Sequence, residues 1–205
     1  MAIKACLFDM GNVLVYFSHE RMCENVAKVS GASFELVQKI LIQDGLLFQI
    51  ECGKITEEEL HQQFQVLSKT TVGRSQFLTA IADIFELNES MVSLIDELKK
   101  QSLKLVLLSN TSANHFNFIR DQFSILDAFD DMTTSFHVGA LKPDESIYLD
   151  AIERAGCLPE QCFYTDDIEA YVLKGRDLGL KAEIYTTTDK TRQALRNLGV
   201  AVSAS

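Results

Sequence analysis

Basic residues are scarce in this chain, and their scarcity bears on its partners. Of 205 residues, 19 are lysine or arginine and 29 are aspartate or glutamate, which gives a formal net charge of −10. A protein that binds nucleic acid needs a basic surface to offset the repulsion of the phosphates. The composition therefore predicts no nucleic-acid partner. To bind an anionic substrate, the protein would need a metal ion or a lysine at the site to offset its negative electrostatic potential.

Long apolar runs and paired cysteines are also missing. No stretch reaches the roughly 18 consecutive apolar residues of a membrane-spanning helix, and Asp9 interrupts the N-terminal apolar run too early for a signal peptide. The cysteines are odd in number, scattered and without a C-x-x-C pair, which is typical of reduced thiols. They are Cys6, Cys23, Cys52, Cys157 and Cys162. We therefore expect a soluble, cytoplasmic protein with no membrane partner.

Proline is rare and low-complexity sequence is absent, so no segment reads as a flexible linker. The two prolines are Pro143 and Pro159. Hydrophobic residues make up 47% of the chain and charged residues 23%, which is an ordinary globular balance. The length suffices for one full-size domain, or for a core with a substantial insertion.

Short apolar runs of strand length recur along the chain. The clearest four are Ile3–Phe8, Leu103–Leu108, Cys162–Thr165 and Ala182–Tyr185. Amphipathic stretches of helical length lie between and after the last three. Strands that are buried on both faces and separated by helices indicate a parallel sheet. The expected fold class is therefore α/β, with Met132–Ser135 as a candidate further strand.

The interval Ser18–Leu87 reads differently, because its pattern is helical throughout. Its first serine can cap a helix that ends at Gly31, and Ser33 can cap the next one. Thr56–Glu59 is a capping box, and Arg74–Phe85 repeats the amphipathic pattern. A four-helix insertion between the first two strands predicts a lid that excludes water and selects substrates. The alternative is a set of extra helices packed on one sheet face.

Polar residues follow the apolar runs where the strands are expected to end. Asp9 follows the first run, Ser109-Asn110 the second and Asp166-Asp167 the third, while Lys142 precedes a helix. The hydroxyl and amide can bind an anion beside the next helix, or merely cap it. Adjacent carboxylates repel each other unless a cation compensates their charge, and this favours a metal site. In a parallel sheet these groups meet at one edge, where they can hold a magnesium ion, a phosphoryl group and a nucleophile.

Together these segments resemble a known family. The stretches FDMGNVL, VLLSNT, LKPDESIY and FYTDD are similar, in order and spacing, to the four motifs of the haloacid dehalogenase-like hydrolase superfamily. The resemblance implies a Rossmann-like parallel-sheet core of residues 1–16 and 88–205, with helices on both faces, and an inserted all-helical cap of residues 17–87. The first motif, D-x-G-N-V, is similar to the branch that holds sugar-phosphate phosphatases and the phosphatase domain of epoxide hydrolases.

The resemblance also implies a role for each matching residue. Asp9 would be the nucleophile that forms an aspartyl-phosphate, which water then hydrolyses. Lys142 would neutralise the charge that Asp9 shares with the phosphate, and would be catalytic with it. The residues that bind the substrate phosphate would be Ser109, Asn110 and Lys142. The ligands of a Mg²⁺ cofactor would be Asp9, the main-chain carbonyl of Gly11, Asp166 and Asp167.

Gly11 departs from the family pattern, because most phosphatases of the family have a second aspartate there as general acid and base. Such help is typically worth about 10²–10⁴ in rate. Three interpretations follow. The enzyme acts on leaving groups that need little protonation, a cap residue such as His19 replaces the acid, or the protein is a slow or inactive relative that binds a phosphorylated ligand or a protein partner without turnover.

The retained residues favour an active enzyme. Asp9, Lys142 and Asp166 are all present, whereas a decayed enzyme would tend to lose some of them. The expected function is that of a Mg²⁺-dependent phosphomonoesterase acting on a small phosphorylated metabolite, with a sugar phosphate as the first candidate.

Overall fold

The computed structural model of the chain describes residues 2–203, and its strands form one larger and one smaller sheet. The strands are β1 (Ala5–Phe8), β2 (Val15–Phe17), β3 (Phe85–Leu87), β4 (Lys104–Ser109), β5 (Asp131–Thr134), β6 (Cys162–Asp166) and β7 (Lys181–Ile184). The larger sheet has five parallel strands in the order β5-β4-β1-β6-β7. The smaller is the antiparallel pair of β2 and β3.

Helices occupy most of the remaining chain. They are α1 (His19–Ser30), α2 (Phe34–Gln38), α3 (Leu46–Glu51), α4 (Glu57–Ser68), α5 (Arg74–Ala82), α6 (Glu89–Lys100), α7 (Ala113–Gln122), α8 (Ser135–Val138), α9 (Glu145–Ala155), α10 (Glu169–Asp177) and α11 (Thr188–Asn197). A π-helical turn, Lys39–Gln43, continues α2, and short 3₁₀ turns lie at Ser124–Ala128 and Pro159–Gln161. Within residues 2–203 no helix is both long and apolar enough to cross a membrane.

The predicted parallel sheet is confirmed. The central strand β1 lies between β4 and β6, with Ala5 opposite Lys104 on one side and Cys162 on the other. All of β1 is buried, because helices cover both faces of the sheet. Alternate side chains enter different cores: Phe8 packs with α6 and α7, whereas Leu7 packs with α9. The candidate strand at Met132–Ser135 is observed as β5, one residue earlier.

The segment from α1 to α5, residues 19–82, is called the helical insertion below, and it has a hydrophobic core of its own. Met22, Val26, Phe64 and Phe77 are among its fully buried side chains. The sequence placed its caps correctly. Ser18 accepts from the main-chain N–H of Arg21, Ser33 accepts from Leu36, and the capping box between Thr56 and Glu59 is formed. The division into a core domain and a cap at residues 17–87 stays a prediction.

The prediction of helix throughout Ser18–Leu87 is wrong at its end. The fifth helix stops at Ala82, because Asp83 leaves the helical conformation with φ −79° and ψ 63°. Phe85 then pairs with Phe17 in the small sheet, their ring centroids 6.2 Å apart. The predicted count of four helices is also wrong, because the π-helical turn ends at Gln43 and α3 begins as a separate helix after Gly45, whose φ is 78°.

Candidate active site

The carboxyl edge of the parallel sheet gathers the predicted site residues. Asp9 follows β1, Ser109 ends β4 and Asp166 ends β6, so three neighbouring strands deliver them to one place. The N–H of Asp9 donates to the Thr165 carbonyl at 3.1 Å, which extends the strand pairing up to the nucleophile candidate. Ligands of open α/β sheets bind at this edge.

Lys142 joins the carboxylates of two strands. Its ammonium donates to Asp9 Oδ1 at 2.7 Å, to Asp166 Oδ2 at 2.5 Å and to the Leu108 carbonyl at 3.0 Å. All three of its protons are therefore used, and only 1% of its side chain is exposed. The structure thus brings Asp9, Lys142 and Asp166 together, although they lie far apart in the sequence.

The position of Lys142 is set by its neighbours. Asn110 Oδ1 accepts from the main-chain N–H of Lys142 at 2.8 Å, and Asn110 Nδ2 donates to its carbonyl at 3.2 Å. The ring of Tyr171 lies 5.1 Å from the ammonium, within cation–π range. The Asn110 side chain is therefore occupied in holding the lysine, and its predicted contact with phosphate stays a prediction.

Ser109 remains suited to an anion. Its hydroxyl lies 3.5 Å from the Asn110 carbonyl, at the long limit of hydrogen bonding, so its proton is available to a stronger acceptor. The N-cap of α7 is Ser112, whose side chain accepts from His115 N–H. Neither Ser109 nor Asn110 caps this helix, so the capping alternative for that pair is wrong.

The charges of this cluster depend on one another. Burial raises the pKa of Asp9 and the Asp166 carboxylate adds to the effect, while the Lys142 ammonium opposes it. Burial alone would lower the pKa of Lys142, but the two carboxylates outweigh it and raise that pKa above its usual range. The lysine therefore stays charged, as a group that neutralises the nucleophile and a phosphate must.

Three carboxylates at this edge form an all-oxygen ligand set. Asp9, Asp166 and Asp167 offer oxygens that all lie within 4.8 Å of one another. Asp166 is oriented by the Tyr164 hydroxyl, which donates to its Oδ2 at 2.6 Å, and Asn12 Nδ2 donates to Asp167 at 3.0 Å. One ammonium leaves this set with excess negative charge. A hard divalent cation such as Mg²⁺ fits both the oxygen donors and the charge.

Gly11, which stands where the family resemblance implies an aspartate, faces an aromatic ring. A Cβ atom on Gly11 would lie 2.9 Å from Phe17 Cε1. That ring is held in turn by His19 and Phe85, with centroids at 5.1 and 6.2 Å. Phe17 therefore occupies the space that a side chain at position 11 would need.

A cavity of about 270 Å³ opens beside these groups. Of the predicted site residues and candidates, those on its wall are Asp9, Gly11, Ser109, Asn110, Lys142, Asp167 and His19. Glu51, His115 and Tyr164, which lie at or beside it, are among the residues that sequence reasoning missed. Tyr164 could have been found from its place two residues before Asp166 on the same face of β6. Nothing in the sequence marks Glu51.

Three features define the class of protein, which is a Rossmann-like hydrolase. They are the parallel sheet, the buried lysine between two carboxylates and the helical insertion next to that site. Comparison with protein families is more specific. Residues 3–179 match the family described as haloacid dehalogenase-like hydrolase, and the chain belongs to that family.

Similar proteins include phosphatases. D-ribitol-5-phosphate phosphatase of Bacteroides thetaiotaomicron is 24% identical over 187 residues, which is 87% of this chain and 90% of that protein. A phosphatase of Mycobacterium tuberculosis is 24% identical over 208 residues, 95% of this chain and 93% of that protein. A family enzyme of B. thetaiotaomicron, solved with magnesium and inorganic phosphate, has a TM-score of 0.81 and 26% identity, over 90% of this chain and 95% of that one.

Proposed function

We propose that the protein is a Mg²⁺-dependent phosphomonoesterase that acts on a small phosphorylated metabolite through a covalent intermediate on Asp9. The observation that carries the proposal is the buried Lys142, bonded to both Asp9 and Asp166 beside a cavity. A buried ion pair of this kind is costly to keep for stability alone. Phosphoryl transfer needs this positioning and charge neutralisation.

Asp9, Lys142 and Ser109 have separate roles in the proposed reaction. An Asp9 carboxylate oxygen attacks phosphorus, and the bond from phosphorus to the ester oxygen breaks. Lys142 keeps Asp9 oriented and compensates the negative charge that gathers between it and the phosphoryl group. The Ser109 hydroxyl donates to a phosphoryl oxygen. Water then attacks the aspartyl-phosphate and regenerates the free Asp9 carboxylate.

The residues that would hold Mg²⁺ are Asp9, the Gly11 carbonyl, Asp166 and Asp167. When bound, the ion supplies charge neutralisation for the transferred phosphoryl group. Support comes from the carboxylate spacing and from the magnesium and phosphate in the similar solved enzyme.

The cavity favours a small and partly polar substrate. Its volume of about 270 Å³ lies just below the usual range of ligand pockets. The walls combine the aromatic rings of Phe17 and Phe85 with the polar groups of His19, Glu51 and His115. A sugar or polyol phosphate fits such a wall, in keeping with the polyol phosphate named for one similar enzyme.

A panel of phosphate esters tests the proposal. Purified protein is assayed for phosphate release from aryl, sugar and polyol phosphates, with and without Mg²⁺ and with a chelator. We expect Mg²⁺-dependent release that the chelator stops and that Asp9→Asn abolishes. Asp127→Asn, an exposed carboxylate far along the chain, is the matched control and should keep full activity. Stabilisation by phosphate without turnover of any ester would instead identify a binding protein.

A further inference from the structure

Glu51 is the carboxylate that the helical insertion contributes to the wall of the cavity. It is the last residue of α3 and lines the same cavity as Asp9, Ser109 and Lys142. None of the residues assigned above as nucleophile, phosphate donor or metal ligand comes from the insertion. Glu51 therefore approaches the cavity from outside the parallel-sheet edge.

The main chain of Glu51 is fixed to the segment that follows β4. The Ser135 hydroxyl donates to the Glu51 carbonyl at 2.7 Å and accepts from the Thr111 N–H at 2.9 Å. Two residues further on, Gly53 packs so closely that a Cβ there would lie 2.9 Å from the Phe136 carbonyl. Glu51 is thus tied through one hydroxyl to Thr111, which lies two residues after Ser109.

The carboxyl group of Glu51 is free for a ligand. Within residues 2–203 no side chain or main-chain group donates a hydrogen bond to it or forms an ion pair with it, although it is partly buried. Burial raises its pKa to about 7, so protonated and ionised forms of the group are both well populated near neutral pH. Burying a carboxyl group without a hydrogen-bond partner costs free energy. This cost argues that Glu51 is kept for a role other than stability.

The other titratable groups on the wall are poorer proton donors. Burial lowers the pKa of His19, and lowers that of His115 to about 4, so both imidazoles are neutral near pH 7. Burial raises the pKa of the Tyr171 hydroxyl above its usual value near 10, so it is a weak acid at neutral pH. The charged groups facing the cavity are Asp9, Asp167 and Lys142. Lys142 is saturated by its three acceptors, and the two aspartates belong to the proposed metal site.

We propose that Glu51 is the general acid and base of this enzyme, and that it replaces the aspartate absent at Gly11. The proposal rests on the phosphomonoesterase function above. As the ester bond breaks, the Glu51 carboxyl transfers its proton to the leaving oxygen, which departs as an alcohol. The resulting carboxylate accepts a proton from the water that attacks the aspartyl-phosphate, and this restores the starting state. Phe17 fills the space beside Gly11, so the proton has to come from another wall.

The leaving group provides the test. A nitrophenolate leaves without a proton, whereas an alkoxide does not. Wild type, Glu51→Gln and the exposed-carboxylate control Glu35→Gln are compared on p-nitrophenyl phosphate and glycerol 2-phosphate with Mg²⁺. We expect Glu51→Gln to lower kcat/KM for the alkyl ester by about 10²-fold or more and to change the aryl ester by less than about threefold. The control should match wild type on both.

Other results would overturn the inference. An equal loss on both esters would assign Glu51 a structural role, and unchanged activity on both esters would leave it no role. A wild type that hydrolyses only the aryl ester would show that no general acid operates. In all three cases the phosphatase itself stands, whereas hydrolysis of neither ester by wild type would remove the proposed function as well.

A pH profile gives a second readout. In the wild type kcat/KM for the alkyl ester should fall as pH rises through the pKa of Glu51, and this limb should be missing from Glu51→Gln. Glu51→Asp, which retains the carboxyl one methylene further back, should restore part of the alkyl-ester activity and the limb. Thermal unfolding of the variants checks that each is folded. A limb that is identical in wild type and Glu51→Gln would contradict the proposal.

Discussion

Gly11 and Phe17 share one small volume, so a side chain at position 11 would collide with the phenyl ring. The Cβ–Cε1 distance of 2.9 Å is shorter than side chains tolerate. The φ of Gly11 is not positive, so the conflict is with the ring and not with the backbone.

We expect Gly11→Ala to lower the free energy of unfolding by about 1–3 kcal/mol through overpacking. In a Phe17→Leu background, which lacks the ring, the same change should cost less than half as much. Urea unfolding of the four proteins measures the coupling. Additive costs would show that Phe17 is not the obstacle.

Glu51 couples protonation to stability. Its pKa is raised from the usual 4.5 to about 7, so the folded state binds the proton more tightly than the unfolded state. The stabilisation is complete below the unfolded pKa and is lost as pH rises through the folded one. We expect the free energy of unfolding of wild type, relative to Glu51→Gln, to fall by roughly 2 kcal/mol between about pH 5 and pH 8.

Chemical denaturation at a series of pH values measures this difference. The other titratable groups of the cavity are present in both proteins, so their contributions largely cancel; they are Asp9, His19, His115, Lys142, Asp167 and Tyr171. A difference that does not change with pH would contradict the raised pKa.

At the scale of single residues, the sequence predicted a site residue where a carboxylate directly follows an apolar run of strand length. Asp9 and Asp166 were found in this way and Lys142 from the family resemblance, and the structure places the lysine in contact with both carboxylates. Glu51 was not found, because its burial depends on where the helical insertion lies against the parallel-sheet core. Local sequence carries no signal of that contact.

The start of α8 joins two parts of the molecule. Ser135 is fully buried, and its hydroxyl bonds both Thr111 and Glu51. Its removal would leave two buried main-chain groups without partners.

We expect Ser135→Ala to lower the free energy of unfolding by about 1–3 kcal/mol, measured from the urea midpoint at constant slope. It should also lower alkyl-ester hydrolysis, because Glu51 loses its tether. The control is Ser75→Ala on the exposed face of α5, which should leave both quantities unchanged. Equal behaviour of the two variants would remove Ser135 as a link between insertion and core.

Elements that follow a strong periodicity were predicted well. The four long apolar runs correspond to β1, β4, β6 and β7 within two residues at each end, because two-sided burial requires continuous apolar sequence. The three-residue strand β3 was missed. It has an exposed glutamate at its centre, and only its pairing with β2 defines it. Pairing between distant segments is not visible in either segment alone.

The whole molecule carries a net charge of −10 and gathers three carboxylates at one sheet edge. An ion that binds only the folded state stabilises it, by about 2.7 kcal/mol at one hundred times its dissociation constant.

We therefore expect Mg²⁺ to raise the Tm of wild type, by roughly 2–4 °C for each kcal/mol of stabilisation in a chain of this size. Asp166→Asn should lose the increase, and Asp127→Asn should retain it. Differential scanning fluorimetry with a magnesium titration measures the shifts. An equal increase in all three proteins would show that the ion acts elsewhere.

The central claim is that Asp9 carries the phosphoryl group during turnover, and the intermediate itself is the most direct test. The enzyme is mixed with p-nitrophenyl phosphate and Mg²⁺, quenched in acid, and its peptides are examined by mass spectrometry. We expect one phosphoryl group on the peptide that contains Asp9, localised to its carboxylate, and none in Asp9→Asn, which should also release no phosphate. Phosphate release by Asp9→Asn at the wild-type rate would contradict the account.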